Sequence, residues 1–244
     1  MELPSTVKDP HSRVAVSTSK RDALRRFWFR LGLGAGALFL AAGLFGEIAE
    51  DVINHDAPLG AIDLHVADWL HLHATPGLTS LMLAVTRLGS PFTIMAIALV
   101  AGFVMLFRHQ YDRLVALLLA VPGGGLLNVI VKLLVHRHRP VFDHPIVALT
   151  SYSFPSGHAL GATVTYGLLA AIFVWQTRDP LRRSLAFLAA AVFVAVVCFS
   201  RIYLGVHYLS DVIAGVLEGL VWLGCCLTAV AALRHSRRRE ASSP

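Results

Sequence analysis

Residues 113–140 read RLVALLLAVPGGGLLNVIVKLLVHRHRP, and the fold class turns on this stretch. From 113 to 135 the sequence is apolar almost throughout for 23 residues, and a helix needs roughly 20 mainly apolar residues to cross the hydrocarbon core of a bilayer. The run ends in cations. Lys132 and Arg139 are seven residues apart, nearly two helical turns, so they can face the same side, and Pro140 helps to end the helix.

Five further stretches share this character, near 29–48, 91–107, 158–175, 183–200 and 211–233. Six membrane-spanning helices are therefore expected, the last three close to the lower length limit of about 17 residues or polar near one end. Composition agrees: 56% of the 244 residues are hydrophobic and 15% charged, with a mean hydropathy of +0.65, outside the usual balance of soluble domains. The expected fold class is an all-α integral membrane protein. Cys198, Cys225 and Cys226 all lie within apolar runs and suggest neither a disulfide framework nor a metal set.

The formal charge of +6 does not point to nucleic acid, because the excess cations sit at the two ends and in short loops between apolar stretches. Lys20 to Arg30, Arg108 and Arg113, Arg178, Arg182 and Arg183, and Arg234 to Arg239 mark cytoplasmic ends by the positive-inside rule. Both termini are then expected in the cytoplasm, and the connections after the first, third and fifth stretches face outward. The first stretch follows about 26 mostly polar residues and lacks a convincing small-residue cleavage site, so it reads as a retained helix. Residues 1–26 and 234–244 are expected to be solvated and disordered, flanking a membrane domain over 27–233. The connection from Glu50 to Ser90 mixes apolar residues with Asp63, His65, Asp68, His71 and His73. It reads equally well as helices lying in the membrane interface or as an ordinary packed outer loop.

A charge at membrane depth is costly and is usually paired or functional. Beyond Lys132 and Arg139, two clusters stand out, both in outward-facing connections. Pro155-Ser156-Gly157-His158 precedes the fourth stretch. Ser156 is placed as an N-cap, Gly157 allows close backbone approach, and a helix N-terminus favours anions, while His158 can donate a proton to a leaving oxygen. Ser200-Arg201 to His207 and Asp211 bridge the fifth and sixth stretches. His207 and Asp211 are four apart, so on a helix the carboxylate can hold one ring N–H and leave the other nitrogen as a nucleophile. Arg201 adds a third cation for an anionic ligand. Taken singly, each cluster also has a structural reading: snorkelling cations, a capped helix, or a His–Asp pair locking two helices together.

Together, Lys-x6-Arg-Pro, Pro-Ser-Gly-His and Ser-Arg-x5-His-x3-Asp fix eleven residue types in order; at roughly 5% each, chance agreement is negligible. In this the sequence resembles the type 2 phosphatidic acid phosphatase (PAP2) family, which shares its site with the vanadium haloperoxidases. The resemblance covers about residues 60–233 and implies the membrane-bound branch. It implies His207 as a nucleophile forming a phosphohistidine, Asp211 as its orienting partner and His158 as the acid that protonates the leaving group. Lys132, Arg139, Ser156, Gly157 and Arg201 would hold the phosphate. It implies no metal ion and no other cofactor, and no carboxylate cluster suited to magnesium is evident in the sequence.

The activity expected is removal of phosphate from a lipid whose chains stay in the bilayer, with undecaprenyl diphosphate, phosphatidylglycerophosphate and phosphatidic acid all compatible. A lipid phosphotransferase would use the same residues. A non-catalytic lipid-phosphate binder or flippase is disfavoured, because an inactive descendant would be expected to have lost His207 or His158. Other residues are set aside: His136, Arg137 and His138 as interface anchors, Asp63 and Arg87 as solvated surface, Gly123 to Gly125 as a place of close helix contact or a kink, and His65, His71 and His73 as interfacial histidines.

Overall fold

The structure is a computed structural model and describes residues 10–55 and 57–240. Two compact units divide the chain, Met1–Leu40 and Ala41–Pro244. The described residues of the first unit all belong to α1 (Pro10–Asn54), whose remainder lies in the second. The second unit continues with α2 (Ala57–Leu72), α3 (Pro76–Val85), a 3-10 turn (Thr86–Gly89), α4 (Pro91–Phe107), α5 (Tyr111–Val135), α6 (Gly157–Val174), α7 (Pro180–Tyr203) and α8 (Leu209–Glu240). No strand occurs among the described residues. Helix runs through 10–26 and 234–240, where disorder is expected from the sequence; residues 1–9 and 241–244 lie outside the described residues.

Five helices carry spans long and apolar enough to cross a membrane: Gly32–Asn54, Tyr111–Val135, Gly157–Val174, Pro180–Tyr203 and Leu209–Arg234. α4, the second stretch expected to cross, has 17 residues. It makes a sixth span when joined to Pro76–Gly89, from which it bends by 44°. The bend falls at Ser90-Pro91, where proline has no N–H to give to a continuous helix and Ser90 caps α4 by accepting from the Thr93 N–H at 3.2 Å. Asp179 and Pro180 start α7 in the same way, with the Asp179 carboxylate accepting from the Leu181 N–H at 3.0 Å. Large apolar side chains such as Leu99, Phe107 and Leu134 are exposed along these helices, as a lipid-facing surface requires.

α6 is the central helix. Small residues such as Ala159, Ala162, Ala170 and Ala171 let its neighbours approach closely, and these and half of its other residues are buried, with α4, α5, α7 and α8 packed around it. Ala116, Ala120, Leu160, Val164, Leu168 and Leu223 form the main apolar core beneath its N-terminal end. On the adjoining face, Trp222 of α8 fits over Gly123 and Gly124 of α5, where an added Cβ on Gly123 would meet its ring at 2.6 Å. The glycine run thus serves close helix contact.

The connection over 57–89 is largely helical and packed on the protein. Met82 of α3 joins Tyr203, Leu204 and Val206 in one cluster, with Leu70 and Val85 against it. The Tyr203 hydroxyl accepts from the Thr75 N–H at 3.0 Å. This layer sits on the turn between α7 and α8, and that turn carries the third sequence cluster.

Candidate active site

α5 ends at Val135, with His136 in the left-handed conformation (φ 54°) and its N–H donating to the Lys132 carbonyl at 3.1 Å. The cap ends the helix, and 137–140 continue without regular structure. α7 and α8 are joined by a turn with Gly205 at φ +67°, a backbone shape that disfavours any Cβ. An added Cβ there would also meet Phe142 at 2.8 Å. These breaks and the start of α6 bring the three clusters to one place.

A cavity of about 580 Å3 opens among α4, α5 and α6. Lys132, Arg139, Gly157, His158, Arg201 and His207 line it, and Ile94, Met95, Val121, Val129 and Leu160 make an apolar wall. Six of the eight expected site residues thus face one space. Asp211 lies behind His207, fully buried. Ser156 takes the N-cap position of α6 but makes no capping bond with its side chain. Its N–H donates to the Asp211 carbonyl at 2.9 Å, while its hydroxyl is buried without a hydrogen-bond partner among the described residues and is not among the residues lining the cavity.

Lys132 and Arg139 are held by backbone carbonyls and Arg201 by a hydroxyl, neutral partners that leave their charge available to an anion. Lys132 Nζ donates to the carbonyls of Tyr152 at 2.8 Å and Ser153 at 3.2 Å. Arg139 spreads its guanidinium over the carbonyls of Ser151, Tyr152 and Val206. Arg201 is 4% exposed and donates from Nη1 to the Thr86 hydroxyl at 2.6 Å, its Nε having no partner among the described residues.

His207 is buried. Its Nδ1 lies 3.4 Å from Asp211 Oδ2, and its Nε2 lies 3.2 Å from Arg139 Nη1. Arginine only donates, so Nε2 must be the acceptor and Nδ1 carries the proton facing Asp211. Burial pushes the imidazole pKa down to about 4, although Asp211 pulls it up, so the ring is neutral at neutral pH. Burial likewise lowers the Arg139 pKa, with Asp211 opposing. The arrangement offers a neutral, oriented nitrogen among three cations, suited to a phosphoryl group whose charge grows on its peripheral oxygens.

The PAP2 superfamily profile matches residues 113–235, about half of the chain and all three clusters. The chain belongs to the PAP2 superfamily. Phosphatidylglycerophosphatase B of Bacillus subtilis is 34% identical over 148 residues, 60% of this chain and 72% of that protein. Decaprenylphosphoryl-5-phosphoribose phosphatase of Mycobacterium tuberculosis is 31% identical over 194 residues, 75% and 98% of the two chains. Among solved structures, the transmembrane PAP2-type phosphatidylglycerolphosphate phosphatase of Bacillus subtilis superposes with a TM-score of 0.70 at 30% identity, over 79% of this chain and 94% of that one. This is a multi-pass membrane phosphatase, a phosphoric ester hydrolase.

In this PAP2 phosphatase two residues set aside on sequence grounds belong beside the site. Arg137 does not anchor to the interface and Asp63 is not solvated. Asp63 is 1% exposed, and Arg137 bridges it to Asp211 at 2.7 and 2.6 Å. Burial opposes the charge on Arg137, but the two carboxylates outweigh it and hold its pKa above the ordinary value. Asn128 and Glu218 were not singled out. The Asn128 amide donates to Glu218 Oε2 at 3.0 Å and to the Pro155 carbonyl at 3.4 Å, below the segment that leads into α6. Both stand within apolar runs, which was the available signal. Arg87 is exposed, while His71 stacks on Phe142 at 4.1 Å and His73 on Trp69 at 4.4 Å.

Proposed function

We propose that this PAP2 phosphatase hydrolyses a phosphate monoester or diphosphate of a lipid through a phosphohistidine at His207. The observation that carries the reading is the double character of the cavity: Lys132, Arg139 and Arg201 line it together with His207, and so do the apolar Ile94, Met95, Val121 and Val129. A headgroup phosphate and the start of an acyl or prenyl chain fit those two linings. Undecaprenyl diphosphate, phosphatidylglycerophosphate and phosphatidic acid are the substrate classes, in keeping with the lipid-phosphate names of the relatives.

In the first step His207 Nε2 forms a bond to phosphorus as the bond to the leaving oxygen breaks. His158 gives that oxygen a proton, and Asp211 steadies the positive ring that results. Lys132, Arg139 and Arg201, with the backbone at Gly157, hold the phosphoryl oxygens. Water then gives its proton to His158 and attacks phosphorus, releasing phosphate and restoring His207. The cations supply the charge neutralisation of a metal, so no metal ion or other cofactor is required. The membrane domain is residues 27–233, with the PAP2 core over about 60–233. The termini face the cytoplasm and the site faces the opposite side, as the Lys and Arg distribution supports.

The test is phosphate release from a panel of lipid phosphates and diphosphates by detergent-purified protein in EDTA. Release of free phosphate, fastest from one lipid, is expected. Transfer of phosphate to an acceptor lipid without release would replace hydrolase by phosphotransferase, and no turnover of any lipid by folded protein would leave a binding function.

A further inference from the structure

Asp63 and Asp211 are two of the most deeply buried carboxylates among the described residues, at 1% and 0% exposure, and a single guanidinium joins them. Arg137 Nη2 donates to Asp63 Oδ2 at 2.7 Å and Nη1 to Asp211 Oδ1 at 2.6 Å. Ser210 ties the bridge together. Its N–H donates to Asp63 Oδ1 at 2.9 Å, its hydroxyl donates to Asp63 Oδ2, and the same hydroxyl accepts from Arg137 Nη1 at 2.7 Å. The ring of Tyr208 lies under the guanidinium at 4.3 Å, and the Tyr208 N–H donates to Asp211 Oδ2 at 2.9 Å.

The consequence for Asp211 is geometric. Its Oδ2 faces His207 Nδ1, the Tyr208 N–H and the Ser153 hydroxyl, whereas its Oδ1 faces Arg137. The plane of the carboxylate is therefore set from the Oδ1 side by Arg137. Arg137 sits in the segment after α5, and its fork stays in place because α2 presents Asp63 to its other arm. Lysine has one point of charge where arginine has a planar fork, so it cannot hold both carboxylates in this way.

The geometry points to Asp63 and Arg137 as positioning residues for the nucleophile: α2, through Asp63 and Arg137, fixes the Asp211 carboxylate that orients His207. This rests on the reading of His207 as the phosphorylated residue. It gives α2 a part in the reaction although none of its residues is among those lining the cavity.

The experiment compares parent, Asp63→Asn, Arg137→Lys, the double variant and Ser210→Ala in detergent. It reads kcat, KM, competitive inhibition by inorganic phosphate, and thermal unfolding. Expected are falls in kcat of about tenfold or more for Asp63→Asn and Arg137→Lys, and about threefold for Ser210→Ala, with KM and phosphate inhibition within about threefold of parent. The double variant falls no further than Arg137→Lys alone, because both act through one bridge. Unchanged kcat in Arg137→Lys, multiplicative losses in the double variant, or loss of phosphate inhibition in step with kcat would overturn the inference. Ser210→Ala strands no buried charge, so it decides the matter if the charged-residue variants do not fold: parental kcat in it overturns the inference. A parent that turns over no lipid phosphate sinks the phosphatase reading and this inference with it, whereas an active parent with equally active variants sinks the inference alone.

Discussion

Arg139 Nη1 donates to His207 Nε2 across 3.2 Å. One contact thus fixes both the tautomer of the buried ring and the place of the cation nearest its lone pair. The same guanidinium is pinned by Ser151, Tyr152 and Val206, so the phosphate-binding charge and the attacking nitrogen are held as one unit.

Replacing Arg139 by Lys keeps the charge and removes the fork. The expected result is a fall in kcat/KM of about 10- to 100-fold with thermal stability reduced by no more than about 1–2 kcal/mol. Initial rates and unfolding in the same detergent check both.

Asp211→Asn preserves size but removes the charge facing His207 Nδ1. By comparison with other Asp–His pairs, kcat is expected to fall by about 10^2- to 10^4-fold. The loss belongs in kcat, because Asp211 lies behind the ring and does not line the cavity. A change confined to KM would contradict the assignment.

The depressed pKa of His207 has a sign that can be followed into stability. The folded value is about 4 against an ordinary 6.5, so the unfolded chain binds the proton more readily. Its contribution is fully present above pH 6.5 and is lost as pH falls through about 4, on the order of 1 kcal/mol per pH unit in that window. Unfolding of parent and His207→Gln between pH 7 and pH 4.5 should show the steeper loss in the parent. Parallel curves would contradict the burial of a neutral ring.

Gly89 closes the 3-10 turn before α4, and a Cβ there would stand 2.5 Å from Val197 Cγ1 and 3.4 Å from the His158 Cβ. Gly89→Ala is therefore expected to destabilise by about 1–3 kcal/mol and to lower kcat by displacing His158. Circular-dichroism melts and turnover rates measured together test it, and parental behaviour in both would show that the contact yields easily.

Glu218→Ala removes the acceptor for the Asn128 amide, which also holds the Pro155 carbonyl. A loss of about 1–3 kcal/mol is expected, and Glu218→Gln, which keeps an acceptor oxygen, should recover most of it. Denaturant titration of the two variants distinguishes them.

Much of this molecule was legible in the chain. Apolar length alone located α5, α6, α7 and α8 and the membrane part of α1, because a bilayer sets the length and the backbone must satisfy itself within each helix. Lys132, Arg139, His158, Arg201 and His207 were legible because cations and histidines at helix ends are conspicuous against that background. Arg137 and Asp63 were not. They are 74 residues apart, neither interrupts an apolar run, and only the folding of α2 onto the α7–α8 turn shows that they neutralise each other. Ser156 was placed at the right position for a cap, but its hydroxyl makes no capping bond, and its N–H is tied to the Asp211 carbonyl, a tertiary bond that local sequence does not reveal. That α4 makes its span jointly with Pro76–Gly89, across a 44° bend at Ser90-Pro91, was not legible, because the shorter segment before the bend does not read as a span by itself.

The most direct test of the central claim is to trap the covalent intermediate. Protein mixed with a 32P-labelled lipid phosphate and quenched in alkali, where phosphohistidine survives, should carry label on the peptide containing His207. The label should be absent from His207→Ala and should accumulate in His158→Ala when a lipid with a good leaving group is supplied. Steady turnover of the lipid with no label on His207 at any time, or label on another residue, would contradict the account.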